Sequence, residues 1–227
     1  MNYLELCQKV RRECGVQGNG PTTVTNQTGI LQKIVDWVAD ADEEIQSRWF
    51  DWNFLWASVS GNTTVGLATY TKPSDLASWD PQSFYLDYTL ATYSKLSQLN
   101  YQLWRDNYRN GVKTNARPSY FVIKPNGDII LEAPPDDVYS LTSNGWKIAT
   151  RMSANTSTTS IPARFQRVII ARAKMFFAED QNAPEIMESS IREYNELMDK
   201  LEAAELPNQH NRRLSQAEAE SMDIIVE

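Results

Sequence analysis

His210 is the chain's single histidine, and it stands in a polar C-terminal stretch. That removes most side-chain catalysis. A Ser-His or Cys-His pair in the body of the chain has no base to take the nucleophile's proton. Zinc needs clustered Cys and His, and a carboxylate di-iron centre needs Glu-x-x-His on two helices. One tail histidine supplies neither. The two cysteines, Cys7 and Cys14, share a helical face at roughly 10 Å, too far for a disulfide within that helix. They read as small buried hydrophobes. Adjacent carboxylates occur at Asp136-Asp137 and Glu179-Asp180. Their side chains diverge if the backbone is extended, which is poor geometry for a glycosidase pair. Asp36, Asp40 and Glu43 step i, i+4 and i+7 along one face, where a solvated side is the simpler reading than a cation site. The glycines of GVQGNGPTTVTNQTG, Gly15 to Gly29, lack both the Lys-Ser/Thr and the preceding strand of a phosphate loop. We expect no enzyme, no cofactor and no metal.

The basic residues form two groups: Lys9, Arg11 and Arg12, then Arg164, Arg167, Arg172 and Lys174. No aromatic residues interleave with them as in single-strand binders. They read as solvated or subunit-pairing faces, and Arg164, Arg167 and Arg172 are candidates for a subunit or partner interface. A net charge of −7 and a pI near 4.9 suit a surface that nucleic acid passes rather than one that grips it. With 227 residues, 41% of them hydrophobic, there is material for one large domain or two small ones. The opening MNYLELCQKVRREC lacks the basic and apolar regions of a signal peptide, and no apolar run nears the roughly 20 residues of a membrane helix. Assembly in the cytoplasm without membrane contact is expected.

Periodicity then places the elements. Leu4, Cys7, Val10 and Cys14 mark a helix from Tyr3 to Glu13, stopped by Gly15. Thr28 is a candidate N-cap for a helix from Gly29 to about Phe50, with Ile30, Ile34, Val38, Ala41, Ile45 and Trp49 as its stripe. WFDWNFLWASVSG carries three of the seven tryptophans and reads as a packed junction between helix and sheet, with an anchor surface for a partner as the alternative. From Phe54 to Arg151 the pattern turns β-like. Strands are expected across 54–70, with a bulge at Gly66, and at Phe84–Thr89. A short helix over Leu96, Leu99, Leu103 and Trp104 would end at Gly111. SYFVIKPNGDIILEAPPDD, Ser119 to Asp137, reads as a hairpin with Pro125 at the first corner and Asn126-Gly127 in left-handed positions. A second hairpin is expected at Asn144-Gly145. SANTSTTS, Ser153 to Ser160, is a polar spacer. Pro162 opens a third helix along Phe165, Val168, Ile169, Phe176 and Phe177. Asn182 with Glu185 suggests a capping box for a fourth, whose stripe is Met187, Ile191, Tyr194, Met198 and Leu201 and which Pro207 stops. The fold class expected is α+β: a four-helix bundle from N- and C-terminal helix pairs (1–52 and 160–205), an inserted antiparallel β-rich domain (53–152) built as a meander or small barrel, and an extended C-terminal tail (206–227).

RPSYFVIKPNGDIILEAPPDDVYSLTSNGWKIAT, then IPARFQRVIIARAKMFFAEDQNAPEI and YNELM, together with the opening MNYLELCQKVRRECGVQGNGPTTVTNQTGILQKIVDWVADADEEIQ, resembles the head-to-tail adaptor (connector, or tail tubular) proteins of tailed bacteriophages. The likeness covers most of residues 1 to 204. Its most specific part is the succession of strand, acidic-Pro loop, strand, Ile-Pro-x-x-Phe helix start and Ala-Glu-Asp helix end. The resemblance implies a homo-oligomeric ring, usually of twelve copies, at the head–tail junction of the virion. The ring would bind beneath the portal protein, continue a DNA channel that the genome crosses without specific binding, and offer a platform to tail or nozzle proteins. The C-terminal segment would reach the portal, with Arg212, Arg213, Leu214, Met222, Ile224, Ile225 and Val226 as contacts. MDIIVE could add as an edge strand or bury its apolar residues in a groove. The alternative is another head- or tail-completion protein. Some relatives have been linked to cell-wall hydrolysis, for which no residues are present here.

Overall fold

The computed structural model describes residues 1–89, 92–111 and 113–207. The chain is α+β, with five α-helices and two sheets among the described residues. In chain order the first elements are α1 (Tyr3–Glu13), α2 (Gly29–Ser47), β1 (Trp56–Asn62), β2 (Thr69–Tyr70), β3 (Leu76–Trp79) and β4 (Tyr85–Thr89). Then come β5 (Thr92–Lys95), β6 (Ser97–Gln98), α3 (Tyr101–Tyr108), β7 (Tyr120–Ile123), β8 (Ile129–Leu131) and β9 (Ser140–Lys147). α4 (Arg167–Asp180) and α5 (Pro184–Glu205) complete the described elements. The chain divides into two compact units, 1–54 joined with the chain from Ala149 onward, and Leu55–Ile148.

In the helical unit α4 packs against α1, α2 and α5. Val168, Ile169, Ile170 and Ala171 are therefore buried in succession, which a helix with one wet face cannot manage. α1 starts on a capping box: the Asn2 side chain accepts from Glu5 N, and the Glu5 carboxylate accepts from Asn2 N. Its buried face is Tyr3, Leu6, Cys7 and Val10, with Leu4 only half-buried. Thr28 caps α2 by position but makes no side-chain capping bond. Ile34, Val38, Ala41 and Ile45 line the core as expected. The helix ends at Ser47 rather than Phe50, so Trp49 leaves the stripe and is 41% exposed. Its indole donates to the Glu202 carboxylate. Trp52 is fully buried instead and donates to Ile45 O at 3.2 Å.

Asn182 closes α4 rather than opening α5. Its φ is +50°, Ala183 N donates to Ala178 O, and Asn182 N donates to Glu179 O. This pair of bonds is a Schellman motif, in which a left-handed residue satisfies the last carbonyls of a helix. α5 then starts on Pro184, where a missing N–H costs nothing. Its buried stripe is Ser190, Tyr194, Met198 and Leu201, and Ile191 lies outside it.

The β unit is organised by its last strand. β9 runs unbroken from Ser140 to Lys147, so the expected hairpin at Asn144-Gly145 does not form. β1 pairs along one side of β9, from Trp56 opposite Trp146 to Asn62 opposite Ser140. On the other side β4 pairs with Ser140–Thr142, and β3 with Gly145–Lys147. Gly145 is explained by that second neighbour. A Cβ on it would lie 2.4 Å from Ser78 O, where the register of β3 shifts. Glycine inside a strand here marks close backbone approach, not a turn. Because β1 and β9 are the first and last strands, the two ends of the unit leave side by side.

The second sheet has the order β2-β8-β7-β6, and β6 pairs parallel to β7, so the unit is not a purely antiparallel meander. Phe121, Ile129 and Leu131 face a core shared with Leu76, Phe84 and Leu86, and Phe84 stacks on Phe121 at 4.0 Å between centroids. Val122 and Ile130 point to the opposite face, beneath Trp104 of α3. The β7–β8 hairpin is thus buried on both faces, which is why its strands read as unbroken apolar runs. Its turn closes through Gly127 N donating to Lys124 O. Gly127, at φ +88°, is left-handed and Asn126 is not; the Asn126 side chain braces Asp128 instead. Gly66 sits in the β1–β2 loop at φ +78° rather than in a bulge. Leu96 lies between β5 and β6, because α3 begins only after Asn100, whose side chain caps Gln102 N and Leu103 N. A helix over 96–100 would break the hydrogen bonds that this segment makes to Phe84, Ser119 and Phe121.

Gly145→Ala should destabilise the protein by about 2 kcal/mol or more, as overpacking against fixed backbone does. Gly61→Ala, which meets open space, is the control and should cost well under that. Urea unfolding of both variants is the measurement, and equal midpoints would contradict the account of β9.

Candidate interaction surfaces

The groups with reactive chemistry are committed to structure. Cys7 and Cys14 are free and buried, and burial pushes both thiols up to about 12, where they are poor nucleophiles. Asp40 and Glu43 hold the Arg151 guanidinium, and Asp36 is exposed. Asp136 accepts from Tyr139 Oη at 2.6 Å, Asp137 accepts from Val138 N, and Asp180 pairs with Lys33. Asp136 and Asp137 thus turn to different partners. Among the described residues no group of three or more His, Cys, Asp or Glu is placed to hold a metal ion. His210 lies outside the described residues, as do Arg212, Arg213, Leu214, Met222, Ile224, Ile225 and Val226.

The three arginines singled out in the sequence are not brought into one patch. Arg167 opens α4 and bonds Glu13 of α1 and Glu193 of α5. Lys174, two turns on, joins the same carboxylates at 3.3 and 3.2 Å, so four side chains tie three helices. Arg172 turns the other way, to Glu44 of α2 at 2.9 Å, with its guanidinium over the Phe176 ring. Arg164 sits in the turn before α4, pairs with Glu205, and is the most exposed of the three, with 66% of its side chain open. Arg11 donates to Val16 O and Gly18 O, holding the loop after α1.

Exposed apolar side chains gather elsewhere. In the β unit the loop after β1 and the loop before β9 are laced together. Thr63 N donates to Tyr139 O, Tyr139 N to Thr63 Oγ1, and Gly66 N to Pro135 O. Val65, Leu67 and Val138 stand out from this frame at 50%, 46% and 57% exposure. The sequence pattern places Val65 and Leu67 in a strand with a bulge at Gly66; they lie instead in the β1–β2 loop.

The segment expected as a polar spacer proves to be a clasp. Asn155 Oδ1 accepts from Val24 N at 2.7 Å and from Thr23 Oγ1. Asn155 O and Ser157 O accept from Leu4 N and Tyr3 N at the start of α1. Thr159 Oγ1 donates to Asp42 of α2, a fully buried carboxylate that also accepts from Gln46 Nε2 at 2.8 Å. Burial pushes Asp42 up from 3.8 to about 6, although the bonds from Thr159 and Gln46 pull the other way. Asp42 gave no signal in the sequence, since its neighbours Asp40 and Glu43 wear the same charge on the wet side.

The chain is thus α+β in two units, with Arg151, Arg167, Arg172 and Lys174 in internal ion pairs and Val65, Leu67 and Val138 exposed on loops. The family model described as SU10 adaptor protein matches residues 1–218, across both units, and the chain belongs to that family of phage head-to-tail adaptors. The family is structural rather than enzymatic, and its members are virion components that interact with other head or tail proteins. No curated protein matches the chain. No helix among the described residues is long and apolar enough to cross a membrane.

A carboxyl with a raised folded pKa keeps its proton longer in the folded state, so its contribution to stability falls as pH rises through the interval, from about 4 to 6. Two pH units correspond to about 3 kcal/mol. Asp42→Asn removes the charge, and Gln46, whose Oε1 is buried without a partner, can turn its amide to accept from the new one. Relative to wild type, the variant should gain stability progressively from pH 4 to 6 and hold that gain above. Urea midpoints across the range measure this, and a constant difference would contradict it.

Proposed function

We propose that the chain is the head-to-tail adaptor of its phage, forming a ring, of twelve copies, beneath the portal protein. The ring continues the DNA channel and carries the platform on which tail or nozzle proteins assemble. In this reading the four long helices make one bundle (1–52 and 160–205), the β-rich domain (53–152) is inserted between its halves, and the C-terminal tail (206–227) runs to the portal. Arg212, Arg213, Leu214, Met222, Ile224, Ile225 and Val226 supply the portal contacts. Arg164, Arg167 and Arg172, besides their internal pairs, border the contact between neighbouring subunits. Closed rings need a heterologous interface between identical chains, and a helical unit with broad faces supplies one.

The family match over both units carries this proposal. The distribution of charge supports it. Residues 55–148 hold eight Lys and Arg and eight Asp and Glu, so the net charge of −7 falls entirely on the rest of the chain. A negative lumen repels DNA phosphates and lets the genome slide, whereas a basic one would hold it. The helical unit is therefore the part that faces DNA, and the neutral β unit the part that meets protein.

Mixing the purified protein with its portal and measuring mass by light scattering tests the reading. A discrete complex heavier than the portal by a whole ring is expected. Deletion of Asn208–Glu227 should leave thermal unfolding unchanged and weaken portal association. Ile224→Asp with Ile225→Asp should do the same. A protein that ignores the portal would overturn the adaptor role, and undiminished binding by the truncated chain would overturn the assignment of the tail.

A further inference from the structure

Val65, Leu67 and Val138 are exposed, and the frame beneath them is cross-linked by hydrogen bonds. Thr63 bonds both the N–H and the carbonyl of Tyr139, and its hydroxyl also reaches Asp137 O. Gly66 N is fixed to Pro135 O at 2.9 Å, and Leu67 N donates to Thr64 O, which closes the turn across Val65 and the left-handed Gly66. A third loop joins through Ala116 N donating to Pro134 O. Exposed apolar groups bring no stability to the free protein, but held in place they give up little entropy on binding. The rim is acidic. Asp136 and Asp137 are exposed, and Arg117, close enough to act on Tyr139, also donates to Ser94 Oγ. Two carboxylates against one guanidinium leave the edge negative.

We propose that this tip, Val65, Leu67 and Val138 edged by Asp136 and Asp137, docks into an apolar pocket rimmed by Lys or Arg on another protein of the phage tail. The proposal rests on the adaptor reading and names the surface and chemistry by which the β unit meets its partner. Charge decides between occupants. A second copy of this chain offers the tip either the same acidic edge on its β unit or the remainder of the chain, which carries the whole net charge of −7, and neither complements an acidic rim. An anionic membrane surface is repelled in the same way. A basic-rimmed pocket satisfies both the apolar centre and the charged rim, the usual division of a protein interface.

The test places the photo-cross-linker p-benzoylphenylalanine at position 138 of the full-length chain during infection, then purifies and irradiates the virions. The proposal expects a cross-link to a tail protein, within reach of Lys or Arg residues. Cross-linking to a second copy of this chain, or none at all in virions that contain it, overturns the tip while leaving the adaptor reading standing. Absence of the chain from virions overturns both. As a companion, Leu67→Asp with Val138→Asp should leave thermal unfolding unchanged, because both side chains are exposed. It should weaken tail attachment about tenfold or more, the scale of losing an interface centre. Wild-type tail attachment by that variant contradicts the proposal.

Discussion

The helical unit depends on the clasp at Asn155, Ser157 and Thr159. Its four helices come from two stretches of chain separated by the entire β unit. Helix packing alone would leave the first N–H groups of α1 without partners, since a helix cannot satisfy its own N-terminus. The returning chain answers with carbonyls at 155 and 157 and with the Asn155 side chain on the loop before α2. Thr159 then reaches Asp42, so the closure is anchored on a buried charge. A carboxylate in that position is costly without its two donors, which ties the register of the return to the packing of α2.

The β unit solves a matching problem. Both of its ends must leave together, and the pairing of its first strand with its last ensures that. Placing β9 at the centre has a kinetic consequence, because the sheet cannot be completed until its final strand arrives, and non-local pairing of that kind slows folding. The loops at 63–67 and 132–139 are joined by hydrogen bonds and anchored in the core by Tyr139. Those loops carry Val65, Leu67 and Val138 at their exposed positions.

Much of this was legible from residue types. The helical stripes, the β7–β8 hairpin with its Pro125 corner, and the burial of both cysteines follow from periodicity and turn chemistry. What misled was local signal with two meanings. Asn-Gly at 144–145 carries the same turn signal as Asn126-Gly127, yet backbone crowding from Ser78 explains the glycine better. Asn182 has the composition of an N-cap and the φ of a C-terminal cap, and only the carbonyls behind it decide. Leu96 and Leu99 keep helical spacing to Leu103 while sitting in extended chain. Arg164, Arg167 and Arg172 look like one basic face in sequence, yet in space they turn to carboxylates on different helices. Asp42 and the SANTSTTS clasp could not be read at all, because polar residues in a loop-like run reveal their partners only when the distant helix is in place.

Function follows from the same division of labour. One unit carries the charge, the other carries a stiff, nearly neutral frame with apolar side chains at its tip. The proposed ring must let DNA past and hold protein, and these are opposite electrostatic demands best met by separate units. A reconstruction of the head–tail junction in intact virions tests this most directly. The account predicts a ring with the helical unit along the DNA lumen and the β unit turned to its protein neighbours. A lumen lined by the β unit, with the acidic helices facing away from DNA, would contradict it.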